Sequence, residues 1–451
     1  MDNFEKHYVI LKHNVLVHRI GRKSILVKLD RDYSRQKMIS LTDEGVQLLE
    51  FIRVKRSLIE VFHHFSVPSS EQKSFFDYFE FLAKEGYVIL WDTSIEGKEF
   101  IGTIIREEWR QDRTPFGATI ELTPKCNFNC IHCYLGKKRS NASEMSTFQI
   151  KSIFDTLAEA GMLVLFLTGG EPLLRKDFIE LYIYARKKGF LIEILTNGYL
   201  LDEELLNIFL EYPPLEIDIS LYGINDDKYK EVTGCDRAFS KIKDNIRIFR
   251  ENGINVSLKS PIFTNLSEDL KEMSILANEL GTPLRVNFDI VPTVDNESKN
   301  YLQLDAKKAV EFYVSYSRTY EADIKILHES LQDKNNKLAR TRYACAMGRC
   351  NCFITYEGKF APCVETRAKG ISIFEKSFKE IWEEIGRISY EELKNVDEKE
   401  YKCLTCDKIS ICKSCPAVRE RKYGSPQIVK EEDCRFATEL YNTILGNNIP
   451  T

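Results

Sequence analysis

The sequence predicts a parallel α/β protein, a full or partial (β/α) barrel or an open sheet, with a small module before it and a cysteine-dense segment after it. Three observations carry this expectation. Between residues 117 and 300, six short β-rich runs alternate with amphipathic helical patterns. Before residue 95 the order is strand, strand and three helices. Of 13 cysteines, none precedes residue 126 and nine fall between 345 and 434.

Composition narrows the class. A chain of 451 residues can build two or three domains with cores of their own. With 64 Lys and Arg against 68 Asp and Glu, the formal charge of −4 excludes a global polyanion binder. An odd number of cysteines excludes complete pairing into disulfides. The start, MDNFEKHYVILKHN, is not a signal peptide, and no apolar run reaches the ~18–20 residues of a membrane span. A cytoplasmic protein with reduced thiols is expected, and such thiols serve metals or catalysis.

Residues 1–95 read as the first module. Tyr8–Ile20 and Ser24–Leu29 alternate like strands and meet at Gly21. Thr42 caps a helix with Val46, Leu49 and Ile52 inward, and Ser57 precedes a second with Leu58, Val61, Phe62 and Phe65. Pro68-Ser69-Ser70 opens a third, with Phe75, Phe79 and Leu82 inward and Gly86 as its stop. An apolar strand, Tyr87–Leu90, closes a winged-helix-like pattern. Its 14 basic and 13 acidic residues make a poor footprint for DNA, so nucleic acid is not the expected partner. A peptide pairing with a sheet edge is the more natural use.

Residues 96–116 are charged and weakly periodic, a linker. The six β-rich runs follow at Ala118–Leu122, Leu163–Leu167, Leu191–Leu195, Leu215–Leu221, Asn255–Ser260 and Leu284–Ile290. Helical patterns lie between them, among them those carrying Ile150, Ile153, Phe154 and Leu157, and Phe239, Ile242, Ile246 and Phe249. In such folds the chemistry sits at the C-terminal ends of the strands. Residues 301–344 form a bridge in which Asp305 caps one more helix. From 345 to 451 the chain is turn-rich, with a helix near Phe378–Ile385 and too few apolar residues for a core unaided. Metal crosslinks would supply the missing constraint.

The sharpest local signal is Cys126-Asn-Phe-Asn-Cys130-Ile-His-Cys133, directly after the first β/α strand. Three thiolates at this spacing can hold an iron–sulfur cluster and leave one iron open. The alternative is zinc with His132 as fourth ligand, which adjacency to Cys133 makes awkward.

Here the sequence resembles the radical S-adenosylmethionine (SAM) enzymes. Their CxxxCxxC motif is met in full and followed by an aromatic, Tyr134. Thr168-Gly169-Gly170-Glu171-Pro172, Thr196-Asn197-Gly198 and Ser220-Leu221-Tyr222-Gly223 follow the next three strands, and Lys259 lies near the end of the fifth. The resemblance implies that Cys126, Cys130 and Cys133 hold the catalytic [4Fe–4S] cluster. It implies SAM contacts for Tyr134, Gly169, Gly170, Glu171, Asn197, Ser220 and Lys259. The implied chemistry is reductive cleavage of SAM to methionine and a 5′-deoxyadenosyl radical that abstracts a substrate hydrogen. One departure is Val232-Thr233-Gly234, where relatives often carry an arginine before the glycine.

The C-terminal cysteines resemble the SPASM extension of this family, which binds two auxiliary [4Fe–4S] clusters and brings the total to three. The resemblance gives Cys345, Cys363 and Cys415 to the first and Cys403, Cys406, Cys412 and Cys434 to the second. Only two residues separate Cys412 from Cys415 where the family usually has three, which leaves an exchange of those two open. Cys350 or Cys352 can complete the first auxiliary cluster, or an open iron is left for a substrate thiolate. A pair of zinc ribbons is the bland alternative. Cys235, isolated, is expected to be a buried small apolar residue.

The first module resembles the leader-peptide recognition element of peptide maturases, similar to the small PQQ-biosynthesis chaperone. Together the three parts resemble sactipeptide and ranthipeptide maturases. They imply a ribosomal precursor peptide with a leader as substrate, a thioether crosslink as product, and a flavodoxin or ferredoxin-type electron donor. C–C or C–O crosslinking is the alternative within the class, and an iron–sulfur DNA-binding regulator the alternative outside it.

Overall fold

The computed structural model describes residues 7–11, 15–20, 23–28, 38–52, 56–85, 87–92, 113, 115–136, 143–162, 164–188, 190–317, 347–390, 401–409, 411–412 and 414–445. The chain divides into two compact units, Met1–Glu108 and Trp109–Thr451.

The first unit holds β1 (His7–Leu11), β2 (Val15–Ile20), β3 (Lys23–Lys28), β4 (Met38–Leu41), α1 (Asp43–Phe51), β5 (Arg56–Ser57), α2 (Leu58–His64), α3 (Gln72–Lys84) and β6 (Val88–Asp92). Its strands form two three-stranded sheets, β5-β1-β6 and β2-β3-β4. The run Tyr8–Ile20, expected as one strand, is therefore two strands in different sheets, and β4 was not expected at all. Alternation along a sequence shows strand character but not which neighbour each half pairs with. The helix starts follow their caps. The Thr42 hydroxyl accepts from Gly45 N at 3.1 Å, and Ser57 forms a reciprocal capping box with Glu60. α3 opens at Gln72, after Pro68-Ser69-Ser70 has made a turn rather than the helix start. Val9, Leu49, Ile52, Leu58, Val61, Phe79 and Leu82 build the core. Gly21 and Gly86 lie outside the described residues.

The second unit is built on a nine-stranded sheet. Six strands carry the alternation: β7 (Gly117–Glu121), β8 (Val164–Thr168), β9 (Leu191–Thr196), β10 (Glu216–Ser220), β11 (Val256–Pro261) and β12 (Leu284–Asn287). They are parallel and lie side by side in chain order. The connecting helices are α4 (Thr147–Glu159), α5 (Phe178–Lys187), α6 (Glu203–Glu211), α7 (Asp226–Thr233), α8 (Ala238–Glu251) and α9 (Leu270–Glu279). Right-handed crossovers between sequential neighbours put these helices on one face of the sheet. That face is apolar: Ala118, Ile120, Leu165, Leu167, Ile192, Ile194, Ile217, Ile219 and Leu258 pack into the main core. The residues alternating with them leave the opposite face and the strand ends free for polar groups.

Beyond β7 the sheet continues with β13 (Asn351–Ile354), β14 (Lys359–Ala361) and β15 (Ile371–Ser372), which the sequence reading left among turns. β13 runs parallel to β7, with Cys352 opposite Ala118. α10 (Ala306–Ser317), α11 (Phe378–Tyr390), α12 (Pro416–Tyr423) and α13 (Glu431–Leu445) complete the unit. The Asp305 carboxylate accepts from Lys307 N at 3.0 Å, as the expected cap should.

Candidate active site

The cysteine loop leaves β7 and is gripped from both sides. Gly170 N donates to Thr123 O at 2.7 Å and Glu171 N to Lys125 O at 2.8 Å. A Cβ on Gly170 would stand 2.3 Å from Lys125 O, and one on Gly169 2.4 Å from Thr123 O. The two glycines are thus required for backbone-to-backbone approach onto the cysteine loop. On the far side Asn129 N donates to Thr233 O (2.8 Å) and Ile131 N to Val232 O (3.0 Å). The Val232-Thr233-Gly234 segment, where the sequence departs from its relatives, brackets the loop with its backbone. Cys126, Cys130 and Cys133 are all half-buried. Phe128 N lies 3.3 Å from Cys126 Sγ as donor, and Asn127 Nδ2 is a buried donor with no partner among the described residues. Three half-buried thiols on one loop, with a backbone N–H turned to Cys126 Sγ, fit an anionic iron–sulfur centre.

Glu171 ties two strand ends together. It is fully buried and accepts from the Thr196 hydroxyl (2.7 Å), Asn197 N (2.8 Å) and Leu173 N (3.1 Å). Burial raises its carboxyl to about 7, while Asn197, Thr196 and Leu173 oppose the rise. Asn197 then reaches the cysteine loop: its Nδ2 donates to Asn127 Oδ1 at 2.8 Å and stands 3.9 Å from Cys126 Sγ. Ser220, half-buried at the end of β10, lies opposite Lys259 in register. Lys259 Nζ is 3.3 Å from Asp218 Oδ2 and 38% exposed.

That ion pair belongs to a network the sequence reading missed. Arg285 Nη2 sits 3.1 Å from Asp218, 3.3 Å from Glu216 and 2.9 Å from the Ser257 hydroxyl. Burial raises Glu193 to about 7, with Asp218 and Glu216 adding to the rise and Arg285 opposing it. The available signal was charged residues at alternate positions of otherwise apolar strands: Glu193, Glu216, Asp218, Lys259 and Arg285. They lie on the face of the sheet opposite the helices.

Tyr134 links the loop to the C-terminal segment. Its hydroxyl donates to Glu121 at 2.7 Å, and Arg367 grips the same buried carboxylate bidentately at 3.0 and 2.9 Å. Arg367 lies four residues after Cys363, in a 3₁₀ turn that begins at Val364. The His132 ring packs against Tyr222 and Phe263, centroids 4.9 and 5.1 Å away. Burial lowers its pKa to about 4. The ring forms part of the aromatic wall, and its Nδ1 is buried with no hydrogen-bond partner among the described residues.

Cys403, Cys406, Cys412 and Cys434 line one cavity with Arg419. Among the described residues no three Cys, His, Asp or Glu side chains form a group that could hold a single metal ion. Four thiols on one cavity wall supply the donor set of a [4Fe–4S] cluster, which is broader than an ion. Burial pushes the Cys363 thiol up to about 12; Thr366 opposes this and Cys415 adds to it, so Cys363 and Cys415 are neighbours. Cys345 lies outside the described residues. Cys350 and Cys352 are both fully buried. Cys352 sits in the main apolar core, its thiol donating to Gly117 O at 3.6 Å, and burial raises it well above the thiol range. Cys235 is half-buried and packs against the edge of that core.

Comparison with known proteins agrees with this geometry. Residues 120–276 match the Radical SAM superfamily. The AdoMet-dependent heme synthase of Methanosarcina barkeri is 26% identical over 332 residues, 69% of this chain and 93% of that protein. The antilisterial bacteriocin subtilosin biosynthesis protein AlbA of Bacillus subtilis is 30% identical over 168 residues, 37% of this chain and 38% of that one. Among solved structures, Streptococcus suis SuiB bound to precursor peptide SuiA superimposes with a TM-score of 0.61 at 16% identity, over 94% of this chain and 99% of that chain.

Proposed function

We propose that this chain, whose residues 120–276 match the Radical SAM superfamily, is a radical SAM enzyme that matures a ribosomal precursor peptide by forming a thioether between a cysteine sulfur and a carbon of another residue. One observation carries this reading. The likeness to SuiB spans 94% of the chain and so takes in most of the Met1–Glu108 unit, whereas the heme synthase match leaves nearly a third of the chain uncovered. A unit with two small sheets has edge strands to which a leader peptide can add.

The residues divide the work. Cys126, Cys130 and Cys133 would hold the SAM-binding [4Fe–4S] cluster, and when bound it would supply the electron for reductive SAM cleavage. Gly169, Gly170 and Glu171 set the loop's height above the sheet, and Asn197 holds its first turn. Ser220 would contact the ribose or methionine carboxylate of SAM, and Lys259, which pairs with Asp218 at 3.3 Å, would contact the carboxylate. Tyr134, locked by Glu121 and Arg367, closes the wall and excludes water. Cys363 and Cys415, with Cys345, would hold the first auxiliary cluster, and the cavity lined by Cys403, Cys406, Cys412 and Cys434 would hold the second. A flavodoxin or ferredoxin-type protein delivers the electrons.

The test is mass spectrometry of a cysteine-containing precursor peptide co-expressed with the enzyme. Loss of two hydrogens per crosslink is expected; an unchanged mass overturns the reading. A shared mass loss with cysteines still free to alkylation would move the assignment to C–C or C–O crosslinking. The heme synthase match favours a second reading, a tetrapyrrole substrate. Turnover of an iron porphyrin with the peptide untouched would establish it.

A further inference from the structure

Arg419, on α12, is 2% exposed in the wall of the cavity lined by Cys403, Cys406, Cys412 and Cys434. Its Nε donates to Pro426 O at 3.2 Å. Nη1 donates to the Ser414 hydroxyl at 2.8 Å and to Ser414 O at 3.4 Å, and Nη2 to the Tyr401 hydroxyl at 2.7 Å. Every one of these partners is neutral. Among the described residues no carboxylate is bonded to this guanidinium. The other cation on the wall, Lys408, is already paired with Asp407 at 2.9 Å. The Asp433 carboxylate, beside Cys434 in the chain, is taken by Lys430 N at 2.9 Å and the Tyr423 hydroxyl at 3.2 Å.

A buried cation whose hydrogen bonds go only to neutral groups recovers part of its lost solvation but still lacks a counter-charge, which is unfavourable. The four thiolates that line the same cavity can supply the compensating negative charge. Four thiolates around a [4Fe–4S]²⁺ core carry a net −2, and one-electron reduction makes it −3. We infer that Arg419 is the counter-charge of the second auxiliary cluster, favouring its reduced state and so raising its reduction potential. This rests on the reading that the four cysteines hold a cluster. The consequence is an electron acceptor. A carbon radical and a thiol joining into a thioether release one proton and one electron, and a cluster of raised potential can take that electron up.

The experiment compares wild type, R419Q and R419K as anaerobically reconstituted holoproteins. Iron and zinc are counted, and each cluster is followed by electron paramagnetic resonance through a mediated dithionite titration. In R419Q one cluster is expected to lose at least tenfold in its reduced-to-oxidised ratio at the wild-type midpoint, about 59 mV for one electron. R419K, which keeps the charge, should stay near wild type, and the other clusters should not move. Unchanged potentials with all clusters present overturn the inference. R419Q failing to retain the cluster while R419K retains it supports the same counter-charge. Equal loss in both variants makes shape, not charge, the cause and overturns it. Zinc in place of iron at this site in the wild type instead sinks the cluster reading beneath it, a distinct result.

Discussion

Glu171 shows why a motif residue is not always a ligand contact. Its carboxylate is spent on Thr196, Asn197 and Leu173, so its influence on the cysteine loop runs through Asn197. With the carboxyl raised from 4.5 to about 7, the folded state binds this proton more tightly than the unfolded chain. Its stabilising contribution is therefore complete below 4.5 and is lost as pH rises through 7. Glu171→Gln should flatten that part of the stability–pH curve relative to wild type in thermal melts; parallel curves would show that the carboxyl is ionised throughout. At the same scale, Cys126→Ala should abolish 5′-deoxyadenosine formation and remove about four of roughly twelve irons. Cys403→Ala should leave some uncoupled SAM cleavage, and loss of SAM cleavage equal to that of Cys126→Ala would remove the distinction between the two sites. CxxxCxxC was legible because its spacing is local. The Arg285 network was not, because each partner sits on a different strand and acquires meaning only from register.

The element that changes the picture most is the short hairpin of β13 and β14. No periodicity announces a strand of four residues, and its parallel partner β7 begins 235 residues before Cys352. This pairing carries Cys352 into the core and sets the following 3₁₀ turn where Arg367 meets Glu121. The Glu121–Arg367 pair is buried and bidentate, so removing one partner strands the other's charge. Arg367→Met is expected to cost about 3–5 kcal/mol. A double variant with Glu121→Gln should recover much of that stability. Chemical denaturation decides: a double variant less stable than Arg367→Met would mean that the pair is not the main term. The helices, by contrast, were largely legible, since Thr42, Ser57 and Asp305 cap them through bonds within three residues.

For the whole molecule, the division into Met1–Glu108 and Trp109–Thr451 lets the proposed leader-binding role of the first unit be tested apart from the second. A protein lacking residues 1–108 should still cleave SAM but bind a leader-bearing peptide more weakly. Unchanged peptide affinity would assign the first unit another role. No described helix is long and apolar enough to cross a membrane. By itself the sequence determined the β/α alternation, the cysteine spacing and the strand-end motifs, all of which are written in neighbouring residues. Tertiary structure alone decided that Gly169 and Gly170 press on the cysteine loop, that Cys352 belongs to the core, and that a buried Arg419 faces four thiols. Those outcomes depend on which distant segments share a strand pair or a cavity wall, and local pattern carries no information about that.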